Sequence, residues 1–142
     1  MNVTTGRVQA LRRIYPRLVL AFLLLVLVQV FLAGLGIWGG DWHSDFEAHR
    51  ALGSVLIYLA VALFLLALVC RLPRKLLMMS FAIAVLVALE SAWLHFGGRW
   101  VHAIHPTMTF VIMALGNSLV RASSQTLTQE ARSHNLREAT SA

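Results

Sequence analysis

The stretch LVLAFLLLVLVQVFLAGLGI, residues 18–37, runs without a single charged side chain. As an α-helix rising 1.5 Å per residue, it would cover the ~30 Å hydrocarbon core of a bilayer. It follows a basic segment and has no small-residue cleavage site at its end, so it reads as a retained span and not as a cleaved signal peptide. Three further apolar runs, at 49–70, 76–95 and 101–120, have similar length. The composition of the 142-residue chain agrees: 58% hydrophobic, 13% charged, mean hydropathy +0.73. Backbone polar groups in lipid must pair within their own segment unless a sheet closes on itself, so the fold class is all-α membrane protein, a four-helix transmembrane bundle.

Charge orients the spans. Ten of the twelve basic residues fall on three segments: Arg7, Arg12, Arg13 and Arg17; Arg71, Arg74 and Lys75; Arg121, Arg132 and Arg137. Retention of positive charge on the inner side makes these segments cytoplasmic, with both termini inside a bacterial inner membrane. The remaining connections carry Asp41, Asp45 and Glu47 against Arg50 and Arg99, and Trp38, Trp42, Trp93 and Trp100 line that outer boundary. The expected organisation is a basic N-terminus over 1–17, a four-span domain over 18–121 and a polar tail over 122–142, mobile or weakly helical. The net charge of +6 is accounted for by topology, which removes the argument for nucleic acid. Cys70 is the only cysteine, so internal disulfides, dithiol chemistry and cysteine-rich metal cages are excluded.

The chain also reads as two helical hairpins. VQVFLAGLG (28–36) aligns with LESAWLHFG (89–97), setting Gln29 against Glu90; each is followed by an outer loop and a histidine-led helix, HRALG (49–53) or HPTMT (105–109). Both hairpins start from the cytoplasm, so the repeat axis runs along the membrane normal. His49 and His105 become equivalent.

Five of six histidines, His43, His49, His95, His102 and His105, map to the outer end, and His134 lies in the polar tail as a solvated group. Interfacial rings that snorkel or cap helices are the plainer reading of His43 and His102. His49 and His105 differ because they recur at matched places, and imidazole is the commonest haem and metal ligand. A bis-histidine haem needs two such rings facing each other, which spans 2 and 4 would supply, with His95 and His102 in reserve. Gly53 one turn below His49 and Thr109 one turn below His105 leave a small surface for a flat macrocycle, and Gly34 and Gly36 thin span 1. Arg50 and Arg99 offer forked donors suited to haem propionates, and equally to lipid phosphates. Glu90 stands inside span 3: it is protonated, or pairs with His95 or His102, or hydrogen-bonds Gln29 across the repeat. Pro106 fits the first turn of a helix; if span 4 starts instead at Val101, the proline removes a hydrogen bond near His102.

The residues VQVFLAGLGIW (28–38), AHRALG (48–53) and AIHPTMT (103–109) together resemble a bacterial family of small four-span membrane proteins of unknown function. Gln29, His49, His105 and Pro106 match its pattern; Glu90 stands where the second hairpin commonly repeats the glutamine. The arrangement also resembles one four-helix half of haem A synthase, in which histidines on the second and fourth helices hold a haem at the outer side. The His49-Arg50 pair is similar to that signature, but Glu47 lies two residues before His49 where the signature glutamate lies three before. That likeness therefore implies a haem-binding geometry and no hydroxylation chemistry.

Three functions follow as expectations. The first is a b-type haem protein for electron transfer or haem handling at the outer face, with a membrane redox partner besides the bilayer. The second is a metal- or proton-linked transporter using the outer histidines and Glu90. The third is a non-catalytic accessory or structural membrane protein. No catalytic residue is assigned.

Overall fold

The computed structural model describes residues 3–39, 46–96 and 99–141; the side chains of 3–5, 93–96, 99, 101–103, 131, 134, 135, 138 and 141 lie outside the description. Four α-helices account for the chain: α1 (Val3–Trp38), α2 (Glu47–Val69), α3 (Arg74–Phe96) and α4 (Arg99–Ser141). Short connections make sequential helices antiparallel neighbours. α1 packs on α2 and α4, and α3 packs on the same two, so the helices close a ring in chain order with α1/α3 and α2/α4 on its diagonals.

The core is a column of small and medium apolar side chains. Tyr15, Val19, Phe22, Leu23 and Val26 of α1 meet Leu56 and Ala60 of α2, Ile83 and Val87 of α3, and Ile112 and Leu119 of α4. The outward face of α1 is just as apolar, with Leu20, Leu24, Leu27 and Phe31 all exposed. A surface this apolar belongs against lipid tails. α1 over Gly6–Trp38, α2, and α3 over Arg74–Ala92 are long and apolar enough to cross a membrane. Among the described residues α4 offers no such window; it packs along α1 and α3 and buries Ile112 and Leu119.

Neither expected boundary of the four-span domain coincides with a helix end. α1 begins at Val3, well before residue 18, and α4 runs through the polar tail to Ser141. At 36 and 43 residues, these helices are about 54 and 65 Å long. The tail was expected to be mobile or weakly helical; it is a continuous helix because 107–141 contains no proline, and because it has something to pack on. Ser123 is buried, and the Arg12 guanidinium pairs with Glu130 at 2.9 Å. Pro106 lies inside α4, so the helix begins before it, at Arg99. The His102 carbonyl thereby lacks its usual i+4 N–H partner.

The α2–α3 turn shows how the end carrying both termini is tied together. Leu72 N–H donates to Ala67 O at 3.0 Å and Arg71 N–H to Leu68 O at 2.9 Å, a Schellman cap with Arg71 in the left-handed region (φ 49°). A residue with a Cβ is disfavoured there by roughly 1–2 kcal/mol. Arg12 offsets that cost: Nε donates to Cys70 O at 3.0 Å and Nη2 to Arg71 O at 3.1 Å. One guanidinium thus joins α1, the end of α2 and α4. Deeper in, Tyr15 donates to Ser80 Oγ at 2.6 Å across the α1/α3 diagonal, and Ser80 donates to Leu76 O at 2.7 Å.

Candidate functional site

At the opposite end of the bundle, each helix contributes one polar side chain: Gln29 from α1, His49 from α2, Glu90 from α3 and His105 from α4. Their placement starts from two glycines. Gly36 lies under the Phe46 ring, which a Cβ there would approach to 2.6 Å, and Phe46 in turn meets the His49 ring edge-on at 5.7 Å. This seats the start of α2 against α1. Gly53, one turn along α2 from His49, opens the space through which the Gln29 side chain crosses; a Cβ at 53 would lie 3.0 Å from Gln29 Nε2.

Gln29 and His49 are joined by three polar contacts. Gln29 Nε2 donates to the His49 carbonyl at 2.8 Å and lies 3.3 Å from His49 Nε2. His49 Nδ1 lies 3.1 Å from the Gln29 backbone carbonyl. That carbonyl can only accept, so the network assigns the proton to Nδ1 and leaves Nε2 to accept from the amide.

His105 sits across the α2/α4 diagonal. Its ring centroid is 6.2 Å from that of His49, with the planes at 84°. Its Nδ1 is 3.8 Å from Glu90 Oε1, an ion-pair distance and too long for a hydrogen bond. Glu90 is largely enclosed, its side chain 12% exposed. Gln29 Oε1 and Glu90 Oε1 are buried without a hydrogen-bond partner.

The spacing of the two rings is that of two ligands of one metal. With metal–nitrogen bonds of about 2.0–2.1 Å, trans imidazoles place their ring centres about 6 Å apart. Ligating histidines commonly turn the other ring nitrogen to a carbonyl or carboxylate, which fixes the tautomer. His49 Nδ1 faces the Gln29 carbonyl and His105 Nδ1 faces the Glu90 carboxyl, so Nε2 would be the ligating atom on each ring, that of His49 once the Gln29 amide withdrew. Among the described residues, no group of three or more His, Cys, Asp or Glu could hold a metal ion.

Several expectations change. Glu90 faces His105 and not Gln29, because α3 and α4 are neighbours whereas α1 and α3 are diagonal. The surface freed by Gly53 is occupied by the Gln29 amide. Gly34 meets nothing within 4 Å, so of the two glycines expected to thin α1 only Gly36 is used. Arg50 is exposed beside His49, and Thr109 donates to the His105 carbonyl at 3.4 Å, one turn along α4. His43 lies outside the described residues, as do the side chains of His95, His102, His134 and Arg99. Phe46 and Arg12 were not anticipated. An aromatic three residues before a helix-opening histidine, and an arginine near the start of a long helix, carry no distinctive signal in one sequence.

Residues 29–95 match the family model described as "Family of unknown function (DUF6220)". The match begins at Gln29, takes in His49 and Glu90, and ends before His105. No curated protein and no solved structure matches the chain. The chain is a helical protein with helices apolar enough to span a membrane, and its segment from the end of α1 through α2 to near the end of α3 is similar to that family.

Proposed function

We propose that this end of the bundle is a bis-histidine site for b-type haem, serving electron transfer or haem handling at the outer face of a bacterial inner membrane. The observation that carries the reading is the diagonal pair: two imidazoles 6.2 Å apart, each with Nδ1 directed at an oxygen. His49 and His105 hold the iron through Nε2; bound there, the group supplies one-electron transfer. The Gln29 carbonyl and Glu90 hold the two rings in orientation, and the Gln29 amide yields its place beside His49 Nε2. Arg50 and Arg99, at the starts of α2 and α4, are the donors for propionates. The basic residues near both termini favour a cytoplasmic location for that end. The likeness to a haem A synthase half adds only the placement of histidines on helices 2 and 4.

A second reading rests on the Gln29 contacts. Three polar contacts to one histidine make a self-sufficient interhelical clamp, as expected of an accessory membrane protein without a cofactor. The visible spectrum of the protein purified in mild detergent, oxidised and reduced, separates the two. A sharp Soret band with split reduced bands is expected, lost in His49→Ala and in His105→Ala and retained in His43→Ala and His134→Ala. A colourless, metal-free protein establishes the clamp instead, and a colourless one with stoichiometric zinc or copper establishes metal handling.

A further inference from the structure

The inward face of α4 buries Ile112 and Leu119, as apolar as the inward faces of the other helices. Its outward face mixes exposed Ile104, Phe110 and Val111 with Thr107, Asn117, Ser118 and Arg121. On α1 over 18–35 the large exposed side chains are leucine, valine and phenylalanine. Asn117 is the unusual member. It adjoins Gly116, against which Leu23 of α1 packs, and Leu23 lies six residues along α1 from Arg17. The amide therefore sits about 9 Å deeper than the level of Arg17, within hydrocarbon.

Asn117 makes no hydrogen bond to any described residue. Ser118 beside it does, donating back to Ala114 O at 2.9 Å. An amide exposed to lipid with neither water nor a partner is costly, and polar residues in spans almost always face protein.

We propose that this face of α4 is the interface with a second copy of the chain, closed by reciprocal hydrogen bonds between the two Asn117 amides. A primary amide carries donor and acceptor together, so it complements itself across a two-fold axis. Copies inserted in the same orientation bring Asn117 to the same depth, whereas an unrelated partner would need a polar group placed there independently. Ala114, one turn on one side, and Ser118, with its hydroxyl already satisfied, are small enough for close helix approach. Arg121 lies one turn nearer the chain termini, where it reaches headgroup phosphate. The Gln29–His49–His105–Glu90 cluster is at the other end, so the proposal stands apart from the haem reading.

The test uses the full chain in lipid vesicles over a range of protein-to-lipid ratios, with energy transfer between C-terminally labelled copies reporting association. Asn117→Leu should weaken association roughly 3- to 20-fold, the span of measured interhelical hydrogen-bond effects in membranes, and Asn117→Gln should retain it. Oxidation should capture a disulfide dimer of Ser118→Cys and none of Val85→Cys, on the outward face of α3; Cys70 is buried. Monomers at every ratio, unchanged association of Asn117→Leu, capture through Val85→Cys alone, or capture of a different polypeptide by Ser118→Cys would each overturn it.

Discussion

Gly53→Ala tests the innermost link of the polar cluster. The new Cβ would stand 3.0 Å from Gln29 Nε2, several tenths of an ångström inside ordinary contact, so the amide must withdraw. Withdrawal stretches its 2.8 Å bond to the His49 carbonyl. Losing that bond costs about 0.5–1.5 kcal/mol, and about 1–3 kcal/mol if the amide is left buried and unpaired. Against this, alanine in a helix interior is favoured over glycine by roughly 0.5–1 kcal/mol. The two effects nearly cancel in the native background, with a net destabilisation of about 0–2 kcal/mol. With Gln29→Ala the obstructing amide is gone, and Gly53→Ala should then stabilise by about 0.5–1 kcal/mol. The measurement is a double-mutant cycle of reversible SDS unfolding in mixed micelles, followed by circular dichroism. A coupling of about 0.5–3 kcal/mol, the cost of the displaced amide, is expected between the two positions. Equal effects of Gly53→Ala in both backgrounds would show that the amide does not lie against Gly53, and the account of how Gln29 reaches His49 would fail.

Three further outcomes follow. Glu90→Gln should fold, and accumulate in the membrane at least as well as the native chain, because it removes a group whose ionised form is costly in this enclosed position; loss from the membrane fraction would show that the charge facing His105 is needed. Arg12→Ala should destabilise by about 1–3 kcal/mol, since it uncovers two carbonyls at the left-handed Arg71 turn, whereas Glu130→Gln should cost under about 1 kcal/mol because that carboxylate is half exposed; thermal midpoints in detergent give both, and equal effects would refute the capping role. Reporter fusions to the C-terminus should score as cytoplasmic, and an external score would invert the assignment of the His49 end to the outer face.

Run length was enough to find the helices, because lipid leaves a backbone no partner outside its own segment. Residues 18–37 and 76–95 fall within helices of the structure, as does 49–70 but for its last residue, the C-cap Cys70, and the polar interruptions at 38–48 and 71–75 fall at or between helix ends. Gln29, His49, Glu90 and His105 also stood out in one dimension, since polar groups in apolar runs are few and the hairpin repeat pairs them.

Which of them meet could not be read there. Lipid-facing and core-facing positions of α1 and α3 are nearly equally apolar, so the pattern carries little information about how each helix is turned. Helix rotation and ring order bring His105 to within 6.2 Å of His49, 56 positions away, and give Glu90 the α4 histidine in place of Gln29. The occupant of Gly53 is likewise a side chain from another helix. The ends of α1 and α4 escaped for a different reason: polar composition reports water outside a helix and says nothing about the neighbour that Arg12 and Glu130 provide inside one.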